Sequence, residues 1–403
     1  MNGTSVCILT SQYPPQTGGL GHSTHRIANL LASQGINAHV VAFRKSATPV
    51  AFDEAITTTV EGNVTVHRVD VWNPGWNQVF DEAGKQLTES DVLTRYNREI
   101  FDVINWLQNK YRFDLFHAFF LYPAGYIATA VAKYHGIKSI VSIRGNDIGK
   151  YVFDPLRMGF VKASLENADY VTSVASSLLD LASRAFVSGG LNGRSRVILN
   201  SINLGQAHAK SRPDLPLKGP VIGSIGLFRY KKGLLYLFKA LAQLKDDYEF
   251  TVLLAGDYFN AKEQKIHETY LAELGLADRT VLSGRFPHQD VYDYLQFFDI
   301  LVYPSLFAEG CPLSMMEAMA MKRAIVAHRA GAIPEVITDQ QNGLLLDQGD
   351  TASMVSAIRR LLEDAPLRKK LGEEAYKRIQ ELSPEREQAA WLAVYETVLG
   401  GDA

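Results

Sequence analysis

Two glutamates eight residues apart, Glu309 and Glu317, stand in the stretch FAEGCPLSMMEAMA. A carboxylate accepts hydrogen bonds from two hydroxyls at once, so such a pair suits a neutral, hydroxyl-rich ligand. Upstream, Arg229, Lys231 and Lys232 follow an apolar run and precede the helical pattern LLYLFKALAQL. Cations at a helix start oppose its dipole, and a bound anion would resolve the conflict. Near the amino end, SQYPPQTGGLGHSTHR carries Gly18, Gly19 and Gly21 ahead of a helical stretch. Glycines there let backbone N–H groups approach an anion at the positive end of the helix. Each feature has an ordinary alternative: a capping acid, a solvated helix acid, a basic turn, a plain Gly-rich loop. Glu317, however, is flanked by Met315, Met316, Ala318 and Met319, which make a poor solvent face.

The elements that must position these groups are legible in the pattern of apolar residues. DILVYPS, residues 299–305, is a short apolar run bounded by Pro and Ser and reads as a buried parallel strand. Pro312 stands where a helix can begin, because its missing N–H would be unpaired there anyway. Glu309 is therefore expected on a strand-to-helix loop and Glu317 on the second turn of the helix. Further strands are SVCILTS, AHVVAF, VTVHRV, LFHAFF, SIVSIR, YVTSVA and RVILN in the first half, then VIGSIGLF, FTVLLAG, TVLSG, AIVAH and GLLLD. Helical patterns lie between them; in STHRIANLLASQG, Ile27, Leu30 and Leu31 share a face, Ser23 or Thr24 caps and Gly35 terminates. Strands alternating with helices predict an α/β chain of two Rossmann-like, doubly wound domains. Ligands of such domains bind at the carboxyl ends of the strands, so two of them in tandem predict an interdomain cleft. The expected division is a first domain over 1–203, a Pro-rich linker over 204–220, a second domain over 221–383, and a helix over 384–403 free to cross back to the first domain.

Bulk properties exclude several classes. The chain has 403 residues, 47% hydrophobic and 21% charged, with a net charge of -2. That is a globular composition without the basic field that nucleic acid needs. Cys7 and Cys311 are the only cysteines, so a disulfide framework or a CxxC metal pair is excluded. No apolar run approaches the ~20 residues of a membrane span, and the first one lacks the length and basic flank of a signal segment. The expectation is a cytoplasmic protein, with peripheral membrane contact left open. A dehydrogenase fingerprint fails twice: Gly19-Leu20-Gly21 is followed by His22, Ser23 and Thr24, and AHVVAFRKS ends in Arg44 and Lys45 where a ribose-holding acid is required. His22 and His25 have no acid or Cys at ligand spacing, so no metal is expected.

Cations, N–H groups and carboxylates in one site describe a diphosphate joined to a polyol, the chemistry of a nucleotide-activated sugar. The residues resemble the retaining glycosyltransferases of GT-B fold, family 4, the glycosyl transferases group 1. The resemblance covers almost the whole chain and rests on PSLFAEGCPLSMMEAMA with its E-x7-E motif, AIVAHRAGAIPEVITDQQNGLLL, YPPQTGGLG, KKGLLYLFKAL and YVTSVASSLL. It implies that Glu309 meets the donor sugar's hydroxyls, Glu317 the nucleotide ribose, and Lys232 the leaving diphosphate. It also implies that Gly310, Cys311, Pro312, Leu313 and Ser314 line the sugar and phosphates, with Gly18 and Gly19 approaching from the other domain. The family's chemistry needs no metal, and the chain has no D-x-D triplet. The sequence departs from the family pattern at three places. Leu227 follows Gly226 where an Arg is usual, leaving Arg229 to supply the guanidinium; Arg144 in SIRGNDIGK replaces a customary His; Ser201 follows Asn200 where Gly is usual. Candidates on the acceptor side are His22, His117, Asp147, Trp72 and Trp76. The implied activity is transfer of a sugar from a nucleoside-diphosphate donor to a hydroxyl acceptor, without a cofactor. Rival readings are a GT-B sugar-nucleotide epimerase and a silent sugar-nucleotide-binding protein.

Overall fold

The computed structural model describes residues 3–15, 18–73, 80, 84, 86–151, 153–191, 193–307 and 309–400. The chain divides into two compact units, Met1–Ile198 with Gln388–Ala403, and Leu199–Glu387. The division falls after Ile198, ahead of the 204–220 stretch expected as the linker, which belongs to the second unit. Most of the Pro384–Leu399 helix belongs to the first.

The first unit is built on an eight-stranded sheet. Its strands are β1 (Ser5–Thr10), β2 (Asn37–Ser46), β3 (Ile56–Glu61), β4 (Val64–Trp72), β5 (Leu115–Phe119), β6 (Lys138–Ile143), β7 (Tyr170–Ser173) and β8 (Ser195–Val197), in the order β3-β4-β2-β1-β5-β6-β7-β8. Seven run parallel, and β3 closes one edge antiparallel to β4. That edge strand, ITTTVE, is exposed along most of its length and so carries no apolar run that sequence could flag. In β1 every residue is buried, and alternate side chains serve opposite faces. Val6 and Ile8 pack with Ile27 and Leu31 of the Gly19–Ser33 helix and with Trp391 and Tyr395. Cys7 and Leu9 pack with Ile100, Ile104 and Leu107 of the Glu89–Tyr111 helix. The Gly19–Ser33 helix starts four residues before Ser23, with Gly18 at its N-cap and no side-chain cap. Thr24 instead turns its hydroxyl back to the Leu20 carbonyl at 2.9 Å, inside the helix.

The second unit holds a six-stranded, wholly parallel sheet of β9 (Val221–Phe228), β10 (Thr251–Tyr258), β11 (Thr280–Leu282), β12 (Ile300–Tyr303), β13 (Ala324–His328) and β14 (Leu344–Leu346), ordered β11-β10-β9-β12-β13-β14. From β9 the chain winds outward to β11, returns to β12 beside β9, and winds the other way. The strand order therefore reverses between β9 and β12, where the loops at the carboxyl ends part into a crevice. The first unit reverses in the same way between β1 and β5.

Candidate functional site

Glu309 and the basic turn meet at the reversal point of the second sheet. The turn after β9 is a short 3-10 piece, Tyr230–Lys232, closed by Gly233 at φ +69. A Cβ at Gly233 would stand 1.9 Å from the Pro304 carbonyl oxygen, so only glycine lets this turn lie against the end of β12. The Leu306 amide donates to the Lys231 carbonyl at 2.9 Å, a second staple between the two loops. A third loop supports Glu309 from β13. Gly331, at φ +55, would place a Cβ 1.9 Å from the Glu309 carbonyl oxygen, and the Ala332 amide donates to that oxygen at 3.0 Å. Asn200 adds a bond from its Nδ2 to the Cys311 carbonyl at 3.0 Å.

Held in this way, Glu309 is buried, and its Oε1 lies 3.1 Å from Nζ of Lys232 and 3.7 Å from Nζ of Lys231. Burial pulls the Lys231 ammonium below its ordinary range, while the Glu309 charge opposes that shift. Two ammonium groups against one carboxylate leave a surplus positive charge in a crevice, suited to a polyanion. Lys231, grouped with the cations in the sequence but given no role, is thus an equal member of the corner. Arg229, at the start of the same turn, lays its guanidinium 3.8 Å over the Phe259 ring. Its charge also acts on the Lys231 ammonium of the same turn.

The Leu313–Ala320 helix follows, with Pro312 at its N-cap, no side-chain cap and no acid in its first turn. Gly310, Pro312, Leu313 and Ser314 are half-buried along this loop and helix start, and Cys311 is buried with Sγ 3.3 Å from Sδ of Met316. Met315, Met316 and Met319 are core. Glu317, on the second turn, is buried as well. Its Oε1 takes a bond from Nε2 of His288 at 2.9 Å, and its Oε2 is buried with no hydrogen-bond partner among the described residues. A carboxylate oxygen left this way carries a desolvation cost that a ligand hydroxyl would remove. His288, just past β11, gave no signal in sequence because HQDVYDYL reads as an ordinary helix entry.

In the first unit, Gly18 and Gly19 open the Gly19–Ser33 helix directly after β1, and His22 is half-buried on its first turn with its amide on the Gly18 carbonyl at 3.2 Å. Arg144, after β6, reaches this helix: its Nη2 donates to Oγ of Ser23 at 2.6 Å, and its guanidinium lies 5.3 Å from the Phe119 ring centre. Asp147 is buried and accepts from the amides of Leu121 at 3.3 Å and Arg144 at 3.2 Å. Burial pushes its carboxyl up to about 6 in spite of those amides, so it organises the loop rather than facing a ligand.

Two acceptor-side candidates are packed into the core, and a third lies outside the described residues. His117 is fully buried, with Nδ1 on the Tyr395 hydroxyl at 2.5 Å and Nε2 on Oγ of Ser142 at 2.7 Å. Both ring nitrogens are satisfied in the core and burial pushes the imidazole down to about 3, so His117 is structural. Trp72 is buried at the end of β4, its amide donating to Glu99 at 3.1 Å and its ring under the Arg95 guanidinium at 4.3 Å; it packs the unit. Trp76 lies outside the described residues. Among the described residues no group of His, Cys, Asp and Glu is arranged to hold a metal ion, and no helix is long and apolar enough to cross a membrane.

Comparison with known proteins covers nearly the whole chain. The profile described as Glycosyl transferases group 1 matches residues 206–378, and that of Glycosyltransferase Family 4 matches residues 17–206. The 2-deoxystreptamine glucosyltransferase of Streptomyces kanamyceticus is 31% identical over 194 residues, 47% of this chain; the match spans about half, 49%, of that protein. The N-acetyl-alpha-D-glucosaminyl L-malate synthase of Bacillus anthracis is 23% identical over 96% of both chains. Among solved structures, sucrose-phosphate synthase from Thermosynechococcus elongatus superposes with a TM-score of 0.77 at 20% identity, over 99% of this chain and 100% of that one. Anabaena HepE in complex with UDP and glucose gives 0.72 at 16% identity, over 98% and 100%.

Proposed function

The chain belongs to the group 1 glycosyl transferases of GT-B fold, and from that premise we propose that it moves a sugar from a nucleoside-diphosphate donor to a hydroxyl acceptor with retention of anomeric configuration and without a metal. The observation that carries the reading is the corner of Glu309, Lys231 and Lys232 at the reversal point of the second sheet. A diphosphate entering that crevice competes with Glu309 for the two ammonium groups. The carboxylate it releases is then free to accept hydrogen bonds from the donor sugar. Glu317, with one buried oxygen unpartnered among the described residues, takes the ribose hydroxyls of the same nucleotide in this reading.

In the proposed reaction the bond from the sugar's anomeric carbon to the β-phosphate oxygen breaks as the acceptor oxygen forms its bond on the same face. The acceptor's proton passes to the departing phosphate oxygen. Lys231, Lys232 and the start of the Leu313–Ala320 helix supply fixed positive potential where charge grows on the leaving diphosphate, which is the usual large catalytic term. The relatives' names attach a glucosyl group to 2-deoxystreptamine and an N-acetylglucosaminyl group to L-malate, which supports a small hydroxyl acceptor. HepE was solved with UDP and glucose, which makes UDP the first nucleotide to try.

The test is a thermal-shift screen with UDP, GDP and ADP, followed by incubation of the stabilising nucleotide's sugars with a panel of hydroxyl acceptors in EDTA. Proton NMR of the product should show the donor's anomeric configuration kept. An inverted product overturns retention, and activity that appears only when divalent metal is restored overturns metal independence. A changed sugar nucleotide formed without acceptor would identify an epimerase instead.

A further inference from the structure

We propose that His288 positions the Glu317 carboxylate for the donor's ribose, so that a residue outside the recognised motif sets the enzyme's grip on the nucleotide. The inference rests on the reading of Glu317 as the ribose ligand.

Glu317 sits on the second turn of its helix, its side chain 5% exposed. The phenols of Tyr292 and Tyr303 lie within reach of its charge. Burial pushes both well above the ordinary tyrosine range and the Glu317 charge adds to the shift, so both stay neutral. His288 comes from a separate segment, the His288–Asp290 turn after β11, and is half exposed with a side-chain accessibility of 44%. The hydrogen bond to Glu317 holds its imidazole above the usual histidine range against the opposing effect of burial.

The geometry divides the carboxylate's two oxygens between two tasks. Nε2 of His288 holds Oε1 at 2.9 Å, and that bond fixes the rotation of the carboxylate about its last torsion. Oε2 is thereby turned to a buried position without a partner among the described residues. A vicinal diol binds a carboxylate well when both oxygens are presented in one plane, and Oε1 keeps a second lone pair for the purpose. A carboxylate free to rotate would have to be ordered on binding, at a cost in affinity. His288 supplies that order in advance.

The experiment measures, by titration calorimetry, the affinity of the full chain for UDP and for 2′-deoxy-UDP, with GDP or ADP and their 2′-deoxy forms used instead if one of those stabilises the protein best. For His288→Ala, ribonucleotide binding should weaken by about tenfold, the scale of one hydrogen bond to a charged group. The 2′-deoxynucleotide should bind nearly as in the wild type, so the preference for ribose shrinks. His288→Gln, whose amide can donate to Oε1, should recover most of the loss. Taking the imidazole from the buried Glu317 carboxylate should lower the melting temperature of His288→Ala, and His288→Gln should restore it. Glu317→Ala is run beside them. If it alone loses affinity and ribose preference while His288→Ala behaves as wild type, the role of His288 is overturned and the ribose reading stands. Equal weakening of ribo- and deoxyribonucleotide in His288→Ala also overturns it, since a general structural defect acts on both. If Glu317→Ala leaves affinity unchanged, the ribose reading itself fails and the role of His288 fails with it.

Discussion

Glu309 shares two ammonium groups in the free protein, and that arrangement shapes what its removal should do. Glu309→Ala should lower turnover by at least ~100-fold, the range for removing a transition-state electrostatic partner. The melting temperature should stay near wild type, because the freed lysines keep access to water at 27% and 23% side-chain exposure. Full activity in this variant would remove Glu309 from the mechanism. Lys232→Ala, which takes away the nearer cation, should cost a comparable factor in kcat, read by initial rates at saturating donor. Glu317→Ala should weaken nucleotide binding by roughly 1–3 kcal/mol, the loss of a buried polar partner. The glutamates and lysines were visible in sequence because of their spacing around a strand and a helix. Their pairing was not: that His288 contacts Glu317, or that Arg229 turns to Phe259, depends on loops brought together in space. His117 and Trp72 read as site candidates only because a strand end looks the same whether its side chain meets solvent or core.

At the scale of elements, three strand-to-helix loops support one another through backbone contacts that tolerate no side chain. Gly233→Ala should destabilise the protein by at least ~2 kcal/mol, combining the left-handed backbone cost with a clash against the Pro304 carbonyl. Gly331→Ala should act similarly through the Glu309 carbonyl. Both should lower the denaturation midpoint and weaken nucleotide binding together, since the loops carry Lys232 and Glu309. A fall in stability with unchanged affinity would mean the loops are independent of the site. Thirteen of the strands announce themselves as apolar runs, and the parallel pairing follows from the helices between them. The fourteenth, ITTTVE, is a solvent-facing edge whose hydrogen bonds to β4 define it, a feature without an apolar signature. The helix at Gly19 was displaced to Ser23 or Thr24 because side-chain caps are the readable signal, and this helix begins on a glycine without one.

The whole molecule should be sensitive to acid, through its buried imidazoles. In the first unit, burial pushes His117 down to about 3 and His39 and His67 down to about 4, the latter two joined Nδ1 to Nε2 at 3.0 Å. Unfolded histidines take up protons near pH ~6.5. Their stabilising contribution is therefore complete above that value and is lost as pH falls toward 4. Asp147, pushed up to about 6, works the opposite way over the same interval and offsets one of the three. Stability measured by denaturant titration should thus decline from pH 6.5 to 4.5, with a slope approaching ~1.4 kcal/mol per pH unit for each net proton bound on unfolding. A flat profile would show that these imidazoles are not neutral in the native protein.

The first unit is assembled from two stretches of sequence, and the second stretch is not decoration. Trp391 and Tyr395 are fully buried against β1, β5 and the Gly19–Ser33 helix, and the Tyr395 hydroxyl completes the bonding of His117. Trp391→Ala should cost about 3–5 kcal/mol. During synthesis, the face of the earlier-made sheet that Trp391 and Tyr395 cover stays incomplete until Gln388–Leu399 has left the ribosome, whereas 199–387 emerges as one continuous run. A nascent chain stalled anywhere in between is thus a client for chaperones, and co-expressing the missing helix as a separate peptide should rescue the solubility of the 1–198 fragment.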